Sequence, residues 1–311
     1  FDSAPHVDYQ ILDNYRDQNM TTAFTVWEGN GNKIEKADIV PIEKINIGGV
    51  WTRCTRYIFK LQSGWPRGHQ AGTVMAMAAI GNPDRFKEDF YCMLKYDAMQ
   101  ASFKPPGQPR GAYTGNDPKH PYLHKWAEIA EKSEQDKFDL AAGLQSATET
   151  YMKEIFTNLL NSYPQYDRLC ISGGVSLNSV AMGKMLDWFD GRLSGIYATP
   201  TPHDGGMTIG SAQYVWHHIL DNPRIQWEDN FTPYLGFTYD NIKDTLQEYE
   251  NISYDQATDD KVIELLGEQN IIAVFGGGSE SGRRALGNRS ILADPRSPKM
   301  KDLINEKVKH R

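Results

Sequence analysis

Two stretches of this chain repeat one order of signals, and that repetition limits the possible folds more than any other feature. Arg168 to Ser172 is a short apolar run that meets Gly173-Gly174, and apolar residues then recur at helical spacing from Ser176 to Phe189. Gly195 to Ala198, a turn from Thr199 to Gly206 and a helical stretch from Met207 to about Leu220 follow the same plan. Strand, glycine turn and helix in alternation predict an α/β layer structure.

The flanking segments fit around that unit. Thr21 to Trp27 is rich in β-branched and aromatic residues and runs into Glu28-Gly29-Asn30-Gly31-Asn32, which predicts a β-hairpin. The small, apolar Gly72 to Gly81 segment reads as a close-packed helix. Residues 100 to 126 hold five prolines and several glycines, so they read as a long surface excursion. Ser133 with Asp136 resembles a capping box, and Tyr151, Met152, Ile155, Phe156, Leu159 and Leu160 predict an amphipathic helix from about 134 to 161. Asp221 to Asp240 is polar and turn-rich, which suits a linker, so a boundary falls near 225 between units 1–225 and 226–311. Beyond it come a helix-like Lys261 to Gly267, a strand from Ile271 to Phe275, a loop from 276 to 290 and a second helical stretch from Lys299. A second α/β unit begins there.

Composition enters by exclusion. With 311 residues the chain has length for about two domains, and no apolar run approaches the roughly 20 residues that span a bilayer. Formal charge is 33 − 40 = −7, which argues against delocalised nucleic-acid binding and leaves a local basic site open. Cys54, Cys92 and Cys170 form neither a disulfide framework nor a metal knuckle, which favours a reducing, cytoplasmic compartment. There is no initiator Met, and a basic, helix-like pattern is still running at Lys309-His310-Arg311, so the chain reads as a fragment of a longer protein.

Three segments could carry chemistry. Ser172-Gly173-Gly174-Val175-Ser176-Leu177-Asn178 lets backbone approach a ligand and aims a helix start at it, a setting that favours anions; it also reads as a plain strand-to-helix turn. His203-Asp204-Gly205-Gly206, with Gly210-Ser211-Ala212 after it, offers an Asp that could ligate a divalent metal or cap a helix. His203 alone carries little information. Glu280 to Ser290, then Ala293-Asp294-Pro295-Arg296, is the strongest. From 283 to 311 there are five Arg and four Lys against three acids, and guanidinium forks bind phosphate or carboxylate bidentately. A solvated basic face and an RNA-facing patch are the other readings of that excess. His120 and His124 are four apart in a Pro-rich stretch, where that spacing need not be helical, and are not read as metal ligands.

Together the three segments resemble the carbamoyltransferase family of antibiotic O-carbamoyltransferases and nodulation-factor carbamoyltransferases. The matching motifs are Gly173 to Asn178, Asp204 to Ala212, and above all Glu280 to Arg296 with its Arg-Ala-Leu-Gly-Asn-Arg-Ser-Ile-Leu-Ala-Asp-Pro-Arg core. The resemblance implies a ribonuclease-H-like, actin-like ATP-binding lobe followed by the start of a YrdC-like domain, the fold of threonylcarbamoyl-AMP synthases. It implies that carbamoyl phosphate and ATP form carbamoyl adenylate, whose carbamoyl group passes to a hydroxyl-bearing acceptor, with a divalent metal, typically iron, helping to bind the adenylate. Carried over by position, Gly173, Gly174, Asn178, Gly205, Gly206 and Gly210 would meet the nucleotide and Asp204 the metal. Arg284, Arg289 and Arg296 would meet the carbamoyl phosphate and adenylate phosphates.

The chain departs from the pattern at named places. Arg283 stands where the family has Pro, Gly278 where it has Arg, and the family's histidine pair would fall near Asp2 and His6, of which only His6 is histidine. An incomplete metal site and little activity from these residues alone are therefore expected. An actin-like sugar kinase would explain the glycine turns but not the arginine loop. A non-catalytic nucleotide- or RNA-binding module would explain the basic tail but not the positions of Asn288 and Pro295. The acceptor is not named by the sequence; its choice would lie in loops such as 100 to 126.

Overall fold

The longest element, the helix Glu134–Ser162, organises the larger unit of the computed structural model. Ser133, extended at φ −157° and ψ 159°, accepts a hydrogen bond from the Asp136 backbone N–H, and Glu134 and Asp136 place negative charge in the first turn. Leu140, Leu144, Ala147, Met152 and Phe156 along this helix are buried. The structure describes residues 22–41, 45–61, 70–96, 121–224, 233–253 and 257–309. It divides into two compact units, Phe1–Arg224 and Ile225–Arg311.

In the first unit a hairpin comes first, β1 (Thr22–Asn30) antiparallel to β2 (Lys33–Pro41), with Gly31 at φ +55° in the turn. Helices α1 (Ile47–Tyr57), α2 (Ala71–Ala78), α3 (Lys87–Tyr96) and α4 (Pro121–Ala130) precede the long helix, α5 (Glu134–Ser162). Their apolar faces share one core with α5, in which Phe90 and Trp126 lie 4.2 Å apart between ring centroids. Polar ties fix the register: Trp51 Nε1 donates to Thr148 Oγ1 at 2.8 Å, and Arg85 pairs with Asp139 at 2.5 Å and Asp136 at 2.8 Å.

Strands β3 (Arg168–Ile171) and β4 (Gly195–Ala198) then pair in parallel, Arg168 opposite Gly195 and Ile171 opposite Ala198. A parallel pair needs a crossover, here the 3₁₀ turn Gly174–Leu177, α6 (Ser179–Gly183) and α7 (Met185–Trp188). A second 3₁₀ turn, Asp204–Gly206, leads into α8 (Met207–Gln213), which widens to a π-turn over Tyr214–Ile219.

The second unit contains α9 (Ile242–Gln247), α10 (Asp259–Gly267), β5 (Ile272–Phe275), β6 (Arg289–Leu292) and α11 (Lys299–Ile304). Thr258 caps α10 by accepting from the Lys261 N–H. Strands β5 and β6 are antiparallel, Phe275 opposite Arg289.

The mixed α/β character is as the alternation predicts, with corrections in detail. The helix expected over 176–189 is broken into three pieces: Asn178 (φ −72°, ψ 83°) leaves helical geometry and its side chain caps α6, and a second break falls at Lys184, between α6 and α7. Residues 121–126, expected as loop, belong to α4, where Pro121 stands at the start, the position in which its missing N–H costs nothing. Leu123 and Trp126 bury that helix's inner face. His124 is exposed on it, while residues 100–120, with His120, and the segment holding Asp2 and His6 lie outside the described residues. The loop expected over 276–290 ends earlier, since Arg289 and Ser290 already pair with β5. Among the described residues no helix is long and apolar enough to cross a membrane.

Candidate functional site

The two glycine turns of the first unit meet at the C-terminal ends of β3 and β4. The Gly173 N–H donates to the Pro202 carbonyl at 2.7 Å, the Ser172 hydroxyl reaches the same oxygen at 3.4 Å, and the Ser176 hydroxyl closes the first turn on the Gly173 carbonyl at 2.7 Å. Gly173 has φ +104°, outside the range open to other residues. Gly206 is required for a different reason: a Cβ there would collide with the Thr201 carbonyl oxygen. The carboxyl ends of parallel strands are the side on which open α/β sheets bind ligands.

The predicted residues of this edge have different employments. Gly174 opens the 3₁₀ turn, Gly205 lies in the second one, and Gly210 faces open space, with nothing within 4 Å of where a methyl group would sit. Asn178 is 7% exposed and its amide is engaged inside the protein: Oδ1 accepts from the Ala181 N–H at 3.2 Å and from Gln145 Nε2 at 3.1 Å, while Nδ2 donates to Gln145 Oε1 at 3.0 Å. The cap of the second turn is His203, whose Nδ1 accepts from the Gly205 N–H at 2.9 Å; Asp204 follows, exposed, in the first turn. Among the described residues no group of three or more His, Cys, Asp or Glu gathers as a metal site.

The arginine loop of the second unit is built around a carboxylate. Glu280 Oε1 accepts from the backbone N–H groups of Leu286 at 2.9 Å, Asn288 at 3.0 Å and Arg289 at 3.1 Å. Those bonds, the one from Leu286 foremost, hold the Glu280 carboxyl down at about 2. Asn288 Nδ2 reaches back to the Gly278 carbonyl at 2.8 Å, and Gly287, at φ +119°, donates its N–H to Ser290 Oγ at 2.8 Å. Residues 276–280 and 286–289 are thus laced together, and Arg283 and Arg284 lie exposed in the segment between them.

The other two arginines are held by their own unit. Arg289 lies 3.8 Å from the Phe275 ring centroid and donates to the carbonyls of Gly276 and Gly277, the latter at 3.2 Å. Arg296 Nε donates to both Asp294 oxygens, at 2.9 and 2.8 Å, and Nη2 donates to Oδ2 at 2.5 Å; this pairing holds the Asp294 carboxyl at about 2. Arg284 and Arg296 are thus both exposed, and Arg289 and Arg296 donate to neighbouring carbonyls and to a carboxylate respectively. At 278, where the motif has Arg, a Cβ would lie 2.6 Å from the Tyr234 carbonyl oxygen.

Sequence reasoning passes over Glu280, Asp294 and Gln145 as working residues. The signals that mark them are an acid at the head of an arginine-dense loop, an acid two residues before an arginine, and a polar side chain on the buried face of a long helix.

Comparison with known proteins bears on both units. The family profile described as carbamoyltransferase N-terminus matches residues 18–213, and that described as carbamoyltransferase C-terminus matches residues 263–311. The nodulation protein NolO of Bradyrhizobium diazoefficiens is 32% identical over 253 residues, covering 76% of this chain and 42% of that protein. The 3'-hydroxymethylcephem-O-carbamoyltransferase of Streptomyces clavuligerus is 28% identical over 247 residues, covering 78% and 42%. An uncharacterized protein of Synechocystis is 36% identical over 186 residues, covering 57% of this chain and 30% of its own. The chain thus spans between 30% and 42% of the length of these relatives.

Proposed function

This chain belongs to the carbamoyltransferase family, and from that premise we propose that it is part of a cytoplasmic, ATP-dependent O-carbamoyltransferase. The observation that carries the reading is the order of the two family matches, 18–213 and 263–311, each holding one of the two loop sites. On this reading the first unit is an actin-like lobe that binds ATP or the adenylate at the ends of β3 and β4. The second, on the same reading, begins a YrdC-like domain that takes carbamoyl phosphate.

The chemistry follows from the residues. The turns at Gly173-Gly174 and Gly205-Gly206 bring backbone close to a nucleotide, Gly210 leaves room beside it, and buried Asn178 keeps the first turn in shape through Gln145 and α6. Arg284, exposed on its laced loop, takes the donor phosphate through a two-pronged contact. Arg289 supports it by holding the Gly276 and Gly277 carbonyls, and Arg296 adds positive charge tempered by Asp294. Activation as a mixed anhydride with adenylate makes AMP the leaving group when an acceptor hydroxyl attacks the carbamoyl carbon, and fixed cations stabilise the charge that develops on phosphate. A divalent metal with Asp204 among its ligands would add Lewis-acid chemistry at the adenylate. The acceptor is a hydroxyl-bearing small molecule or nucleoside.

Calorimetric titration with carbamoyl phosphate, ATP and an RNA oligomer tests the reading. Binding of carbamoyl phosphate and ATP is expected. ATP binding alone would favour a kinase-like role for the first unit, and RNA binding alone a non-catalytic module.

A further inference from the structure

We infer that Glu280 is a positioning residue: its carboxylate is the internal anion that closes the 280–289 loop and so sets where Arg283 and Arg284 stand. The inference rests on the proposed donor site, but the geometry behind it is independent of any donor.

Three backbone N–H groups, from Leu286, Asn288 and Arg289, converge on one oxygen, Glu280 Oε1. Successive amides turned to one point form a nest, a concavity that attracts an anion. Gly287 makes the convergence possible. Its φ of +119° reverses the chain between Leu286 and Asn288, and its own N–H is taken by Ser290 Oγ instead. A neutral oxygen would accept three such bonds poorly, whereas an ionised carboxylate accepts them well. The second set of ties, Asn288 to Gly278 and Arg289 to Gly276 and Gly277, anchors the two ends of the loop outside residues 281–286.

The arginine-bearing segment is fastened at both of its ends. At one, the Ser281 N–H and hydroxyl bond the Pro233 carbonyl, both within the second unit. At the other, the Leu286 N–H bonds Glu280 and the Tyr234 hydroxyl donates to the Leu286 carbonyl at 2.6 Å, so the carboxylate and the phenol share the clasp on that side. Without the carboxylate the backbone N–H groups of Leu286, Asn288 and Arg289 lose their common acceptor, the far end of the segment with Arg283 and Arg284 is left to the Tyr234 and Asn288 bonds, and a two-pronged phosphate contact loses part of its preorganisation.

The test uses the whole chain and the variants Glu280→Ala and Glu280→Gln, with carbamoyl phosphate affinity and amide hydrogen exchange as readouts. Glu280→Ala is expected to weaken donor binding about 10-fold or more, on the scale seen when a residue that orients a metal ligand is removed. Glu280→Gln, which keeps the accepting oxygen without the charge, should fall between it and the parent. Exchange at the Leu286, Asn288 and Arg289 amides should quicken in Glu280→Ala. Added sodium acetate should slow it again and restore part of the donor affinity by refilling the nest, while leaving the parent chain unchanged. Donor affinity in a folded Glu280→Ala equal to the parent's would overturn the positioning role. Unprotected amides in the parent, or loss of affinity that neither glutamine nor acetate repairs, would overturn the nest. If the parent chain itself does not bind carbamoyl phosphate, the proposed function fails, and the exchange experiment still decides whether Glu280 closes the loop.

Discussion

The side-chain amides of Gln145 and Asn178 bond each other in both directions, Nε2 to Oδ1 at 3.1 Å and Nδ2 to Oε1 at 3.0 Å, in the interior of the first unit. This pair ties the long helix to the glycine turn after β3. Asn178→Ala removes both bonds and the α6 cap together. It should cost about 2 kcal/mol, because Gln145 Oε1 loses its donor while Nε2 keeps Glu149, and that loss and the lost cap each contribute about 1 kcal/mol. Urea unfolding measures it. In a cycle with Gln145→Leu the two changes should be coupled by at least about 0.5 kcal/mol, and additive effects would contradict the pairing.

Gly206 and Gly210 should respond in opposite ways to the same change. Gly206→Ala forces a methyl against the Thr201 carbonyl oxygen, so the turn must open and the thermal midpoint must drop. Gly210→Ala adds a methyl in open space on α8 and should raise helix stability by up to about 1 kcal/mol. If the nucleotide crosses this helix start, Gly210→Ala also weakens ATP binding. Lower affinity with higher stability is the signature to look for.

Acid should weaken the second unit over a defined window. The Glu280 and Asp294 carboxyls are held at about 2 in the fold, by backbone N–H bonds and by Arg296 respectively, against about 4.3 and 3.9 in an unfolded chain. Depressed values mean that the stabilisation is fully present above the unfolded values and is lost as pH falls toward 2. Stability followed by circular dichroism should decline between about pH 5 and pH 2. The slope should flatten in Glu280→Gln and in Asp294→Asn.

Asp294 should set how much of Arg296 reaches a ligand. The carboxylate residue is 7% exposed and binds the guanidinium through three contacts. Asp294→Asn leaves Arg296 without its counter-charge, so phosphate affinity should rise modestly while stability falls. Arg296→Ala leaves the buried Asp294 carboxylate with Gln269 and the residue-296 backbone N–H but no counter-charge, and should destabilise more than it alters carbamoyl phosphate binding. A large selective loss of binding would instead give Arg296 direct contact with the donor.

How much of this is legible in the sequence differs by element. The long helix announces itself through the Ser133 cap and apolar spacing, and both strands of the parallel pair through short apolar runs ending at glycines. The break at Asn178 is hidden because helical spacing continues through it, while the side chain that caps the next helix is steadied by Gln145, thirty-three residues earlier. In the second unit the arginines are visible and their partners are not. Motif spacing shows which charges lie close along the chain, but Arg289 turning onto Phe275 follows from β5–β6 pairing, which brings the two residues opposite each other. Glu280 is obscured for a related reason: its partners are backbone amides, which carry no residue signature.

The most direct test is the carbamoyl phosphate affinity of the parent chain beside Arg284→Ala, with Arg168→Ala as a control from the other unit. Measurable binding in the parent and the control, weakened at least about tenfold in a folded Arg284→Ala, is the predicted result. Equal affinity in all three proteins, or none in the parent, would contradict the assignment of the exposed arginine loop to the carbamoyl donor.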